Sequence, residues 1–149
     1  MHSKRVKRLF QWSGGIIAVI GGGHLAGALV SSASHFGDWL TLGLWGSYLE
    51  DSDSANDFWG SVGGFGWPLF TVGLVVLWMN RNGIIPPKFL AWTVMGWGAF
   101  MTYIVEPTPG PAVVIAGLLM LRGIHIANKA EEAKAPAGSF GSRERVAGR

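Results

Sequence analysis

Two ionisable side chains stand in strongly apolar surroundings, and both can carry acid–base chemistry. His24 lies within Gly21-Gly22-Gly23-His24-Leu25-Ala26-Gly27-Ala28, and Glu106 opens the turn Glu106-Pro107-Thr108-Pro109-Gly110-Pro111. Ionisable groups buried among apolar helices are costly, so an imidazole facing a carboxylate there is a candidate proton or ligand site. At 1.5 Å per residue, His24 sits about 9 Å below the outer end of its predicted helix and Glu106 near the same boundary. Tyr103 or a water can bridge the remaining gap. If the pair interacts, His24→Ala and Glu106→Gln are expected to be non-additive. Each residue also has a structural role open to it. A neutral histidine can bond a neighbouring helix, and Glu106 can sit in the favourable dipole at a helix N-terminus.

Several other chemistries fail on residue type or spacing. There is no cysteine, which removes disulfide scaffolds, thiol redox centres and thiolate metal sites. His24 and His125 lie roughly 20 Å apart in depth, so they cannot ligate one haem together. The acidic run Glu50 to Asp57 (EDSDSAND) lacks the spacer and glycine pattern of an EF-hand and reads as a solvated loop. No nucleotide loop, nucleophile elbow or metal-ligand pair occurs, so neither a metal nor a cofactor is expected. Gly43-Leu44-Trp45 echoes the claudins weakly, but the accompanying cysteines are missing. Basic residues flank apolar segments instead of forming a nucleic-acid patch.

The elements that must position these residues follow from composition. Of 149 residues, 49% are hydrophobic and 14% charged, against about 25% charged in ordinary soluble domains. A bilayer core about 30 Å thick needs roughly 20 apolar helical residues. Four stretches approach that length: about 9–30, 58–79, 89–105 and 111–126. The fourth carries Arg122 near its end, where a long side chain can snorkel to the headgroups.

Charge placement predicts the orientation. All twelve Lys and Arg fall before the first segment, around Arg81 to Lys88, or from Arg122 onward. The two other connections carry Asp38, Glu50, Asp51, Asp53, Asp57 and Glu106. The positive-inside rule places both termini and the Arg81 to Lys88 turn in the cytoplasm. Trp12, Trp78 and Trp92 then mark the inner interface, with Trp59 and Tyr103 at the outer one. The balance of Lys and Arg on both sides that a dual-topology transporter needs is absent. A cleavable signal peptide ending near Ser31-Ser32-Ala33 is the rival for the first segment, which is long for such a region and interrupted by His24.

The expected architecture is an all-α, integral membrane four-helix bundle over residues 1–127, both termini cytoplasmic, with a disordered tail over 128–149. His35 to Leu49 is expected along the outer interface as a short amphipathic helix or bent segment. Asn80-Arg81-Asn82-Gly83 with Pro86-Pro87 reads as a tight inner hairpin. Gly21, Gly27, Gly60 and Gly64 are expected to let helices approach closely, with Gly21, His24, Gly27, Ala28 and Ser31 sharing the face that looks into the bundle.

With these pieces in view, the chain resembles a family of small, uncharacterised four-span bacterial membrane proteins, mainly actinobacterial and of unknown function. The resemblance rests on Gly22-Gly23-His24 with Gly27, Leu44-Trp45, Phe58-Trp59, Gly64-Phe65-Gly66-Trp67-Pro68-Leu69, Gly73 to Trp78, Gly83 with Pro86-Pro87-Lys88-Phe89, Ala91-Trp92 and Glu106-Pro107-Thr108-Pro109. It covers about residues 14 to 124 and departs at Gly110, where the family pattern has tryptophan. It implies the fold and the bacterial plasma membrane, and brings no activity. The expected function is that of a non-enzymatic membrane protein in the lipid bilayer, an accessory or stabilising subunit of a larger complex or a homo-oligomer. The alternative is a binder or transporter of a small lipophilic molecule, using a cavity near His24, Tyr103 and Glu106.

Overall fold

The computed structural model describes residues 3–46, 52–105 and 107–133. Secondary structure there is entirely helical: α1 (Lys4–Ser31), a 3₁₀ turn (Ala33–His35), α2 (Phe36–Leu40), α3 (Asp53–Gly60), α4 (Gly66–Arg81), α5 (Lys88–Ile104) and α6 (Gly110–Glu132). Helix α1 starts where the Ser3 hydroxyl accepts from the Val6 amide at 3.3 Å, satisfying one orphan donor of the first turn. Helices α5 and α6 each begin behind a proline, Pro87 and Pro109, and Pro111 fits the first turn of α6.

Helix α1 is the central element. It packs antiparallel on α4 along one side and on α6 along the other, and α6 in turn packs on α5. At the α1–α4 contact, a β-carbon on Gly21 would overlap the backbone of Phe70, and one on Gly73 would overlap the backbone of Ala18. The two backbones touch because these positions carry no side chain. The core runs through Phe10, Ile17, Leu69, Val76, Val113 and Met120, with Val94 on α5 closing its far side.

Sequence spacing and structure differ at three places. The apolar stretch 58–79 is not one helix, because α3 ends at Gly60 and α4 begins at Gly66. The Ser61 hydroxyl turns back to the Asp57 carbonyl, and Gly63 donates to the Phe58 carbonyl at 2.8 Å, closing a turn in a glycine-rich run of low helix propensity. Part of the acidic run becomes helix: Ser52 caps α3, its hydroxyl accepting from Ala55 at 3.2 Å. Helix α6 continues to Glu132, past the expected end near residue 127. The expected disorder beyond Ala133, like Glu50 and Asp51, lies outside the described residues.

Candidate functional site

His24 occupies the C-terminal third of α1, half-buried at the edge of the face that packs on α4. That face repeats through Gly14, Ala18, Gly21 and Leu25, which lie against Leu77, Gly73, Phe70 and Gly66 of α4. It is rotated from the sequence expectation: Gly21 and Leu25 are buried, whereas Gly27 and Ser31 are exposed. The rotation follows from Ala18 and Leu25, which lie against Gly73 and Gly66 of α4 and so turn their side of α1 inward together with Gly21.

The His24 Nε2–H donates to the Gly60 carbonyl at 3.1 Å. A carbonyl only accepts, so the proton of this bond is carried by Nε2. The imidazole stacks on Phe65, ring centroids 4.1 Å apart, and Phe65 leans on Trp97 of α5 at 5.2 Å. His24 thus ties α1 to the turn between α3 and α4, and the aromatic pair carries the contact across to α5. Beside this stack, Phe65 and, on α4, Pro68, Leu69 and Val72 face Thr93, Val94 and Trp97 of α5 across an apolar cleft of about 210 Å³.

Tyr103 is 86% exposed on α5, and the ring and hydrogen-bond contacts of His24 are with Phe65 and Gly60. Glu106 lies outside the described residues. Of the four glycines expected to pack helices, Gly21 meets α4, Gly64 meets the backbone of Trp59 and Gly60 within its own turn, and a β-carbon at Gly27 or Gly60 would meet nothing within 4 Å. Phe65 and Trp97 escaped the sequence reading as partners of His24, although Gly64-Phe65-Gly66 marked Phe65 as an aromatic held between flexible residues.

The connection from α1 to α4 forms a second constellation. The Trp39 indole N–H lies 3.1 Å from both the hydroxyl and the carbonyl of Ser54, and the Ser54 hydroxyl donates to Asp38. Trp39 packs edge-on against Phe58 at 5.6 Å between centroids, and His35 pairs with Asp57 at 3.6 Å. These contacts fasten α2 to α3. Leu40, Leu42 and Trp45 stay exposed beside them. Among the described residues, no group of three His, Asp or Glu is placed to hold a metal ion.

The described chain is an all-helical protein with two helices, α1 and α6, long and apolar enough to cross a membrane. It belongs to a family of unknown function, DUF6463, whose family model matches residues 8–130. This agrees with the resemblance to a family of unknown function drawn from the sequence. No curated protein and no solved structure matches the chain.

Proposed function

We propose that this is a non-enzymatic, four-span protein of the bacterial plasma membrane, with both termini cytoplasmic, that works as a subunit of a larger membrane complex or as a homo-oligomer. The supporting observation is the distribution of side-chain size. Glycines mark the closest helix approaches, Gly14, Gly21 and Gly73 between α1 and α4 and Gly98, Gly117 and Gly123 at α6, whereas Trp12, Val19, Leu74, Trp78, Phe89, Trp92 and Phe100 point outward. Only 33% of the apolar window of α1 and 44% of that of α6 are buried, which suits a lipid solvent better than water. Helices α4 and α5, with 16 and 17 residues, rise about 24 and 26 Å. That is a few Å short of a bilayer core, a mismatch met by local thinning at modest cost.

The association surface is the outer half of α1. Gly23, Ala26, Gly27 and Val30 are exposed there, and β-carbons at Gly23 and Gly27 would touch nothing. A neighbouring helix can approach such a surface closely. Because both sites are open, Gly23→Leu and Gly27→Leu should leave the fold intact while blocking that approach. Native mass spectrometry of the full chain in mild detergent should show an oligomer or a stoichiometric complex that the double variant loses. A monomer without a stoichiometric partner would overturn the reading.

The cleft beside His24, Phe65 and Trp97 favours a second reading, a carrier or binder of a small lipophilic molecule. It is apolar, lies between two helices and has one hydrogen-bonding ring at its margin, the usual composition of a ligand pocket. Extraction of the purified chain should yield one enriched lipophilic compound, lost when Val72→Trp fills the cleft. Recovery of bulk lipid alone would decide against it.

A further inference from the structure

We propose that the inner half of α1 is a seat for one anionic phospholipid, with the phosphate at Arg8 and an acyl chain along the helix. The inference rests on the membrane reading above and goes beyond it in assigning a ligand class and a site.

A groove of about 840 Å³ runs along the outward side of α1. Its floor includes Trp12, Gly15 and Val19, its walls include Leu77 of α4 and Ala112 of α6, and its lining is mostly apolar. Arg8 and Gln11 stand at one end. A β-carbon at Gly15 would meet nothing within 4 Å, so the missing side chain deepens the groove at mid-length. From Arg8 to Ile20 is twelve residues of helix, about 18 Å, which compares with about 15 Å for the hydrocarbon of one leaflet.

Charge and polarity are therefore arranged as in half a bilayer: a guanidinium and an amide at headgroup level, then an apolar trough one leaflet deep. A guanidinium binds phosphate bidentately, and the Gln11 amide adds a further donor. Among the described residues no carboxylate pairs with Arg8, so its charge is available to a ligand. Trp12, 67% exposed beside them, sits where an indole favours the interface. An apolar partner helix would fill the trough but bring no anion to Arg8, whereas an anionic lipid satisfies both ends. The occupant comes from the leaflet at the α1 N-terminus, the cytoplasmic one under the proposed orientation.

The test uses the full chain in nanodiscs containing phosphatidylcholine with a minor fraction of phosphatidylglycerol. Lipid retained on release from the disc is counted by native mass spectrometry, and glycerol phosphate serves as the soluble phosphate control. One phosphatidylglycerol should be retained in preference to phosphatidylcholine, and glycerol phosphate should not compete at the same concentration. Arg8→Gln should weaken retention about fivefold, the worth of one basic residue at an anionic surface. Arg5→Gln, exposed on α1 but outside the groove, should leave retention unchanged. Gly15→Leu, which the open space tolerates, should reduce retention of either lipid by blocking the trough.

Equal retention by wild type and Arg8→Gln, or an equal loss in Arg5→Gln, would overturn the site by reducing it to general surface attraction. A disulfide between two copies of Gly15→Cys would overturn it in favour of a second chain as occupant. If the chain partitions into the soluble fraction, the membrane reading fails and the lipid seat fails with it. A membrane-embedded chain indifferent to Arg8→Gln loses the lipid seat alone.

Discussion

A β-carbon at Gly21 meets the Phe70 backbone, and one at Gly73 meets the Ala18 backbone, so neither can be absorbed by turning a side chain aside. Gly21→Val and Gly73→Val should each lower stability by about 1–3 kcal/mol, the usual cost of overpacking, measured by thermal unfolding in detergent. Gly23→Ala, with open space at its β-carbon, should stay within about 0.5 kcal/mol. His24 allows a sharper test, because its ring is held by two different contacts. His24→Ala and Phe65→Ala remove the same stack, so their combination should cost less than the sum by about 0.5–1.5 kcal/mol. Full additivity would reduce the 4.1 Å stack to mere proximity. The polarity of His24 among glycines was visible in the sequence. Its partners were not, because Gly60 and Phe65 reach it only through the turn that separates α3 from α4.

That turn shows how far sequence periodicity reaches at the level of elements. Hydropathy located all the long helices, since each contains an apolar run that only burial or lipid can accommodate. It passed over the break at Ser61 to Phe65, because glycine, valine and phenylalanine are apolar enough to keep the run unbroken while the backbone bonds close a turn instead. The inward face of α1 was misjudged for a related reason. Small residues occur on more than one side of that helix, and only contact with the α4 backbone selects Gly21 and Leu25 over Gly27 and Ser31. In the connection from α1 to α4 the structure separates strong contacts from weak ones. Trp39→Phe removes the indole donor bonded to Ser54, an interaction worth about 1 kcal/mol, and should speed hydrogen exchange of the α3 amides. Asp57→Asn breaks only the His35 pair, whose side chains are 29% and 41% exposed, and should leave that exchange unchanged. Equal acceleration by both would mean that the His35–Asp57 pair holds α3 as firmly as the tryptophan does.

For the whole molecule, topology and charge make one joint claim. The alternation of α1, α4, α5 and α6 places the ends Ser31, Gly66, Ile104 and Gly110 on one side and Lys4, Arg81, Lys88 and Glu132 on the other. The first side carries Asp38, Asp53 and Asp57 with no described Lys or Arg; the second carries Lys4, Arg5, Lys7, Arg8, Arg81, Lys88, Arg122 and Lys129 against Glu131 and Glu132. Under the membrane reading proposed above, such segregation predicts that the basic ends remain in the cytoplasm. The chain has no cysteine, so single cysteines report location without background. Asp53 and Asn82 suit this purpose, since both are exposed and lie at opposite ends of the bundle. In intact cells a membrane-impermeant thiol reagent should label Asp53→Cys and leave Asn82→Cys unlabelled until the membrane is permeabilised. Labelling of Asn82→Cys alone would invert the orientation. Labelling of both in intact cells would remove the α4 crossing altogether, because the only other helix between the two positions, α3, has eight residues and is too short to cross. Adding lysines at Asp53 and Asp57 should then shift labelling toward the inverted pattern, since it is the difference in basic charge between the two ends that the insertion machinery reads.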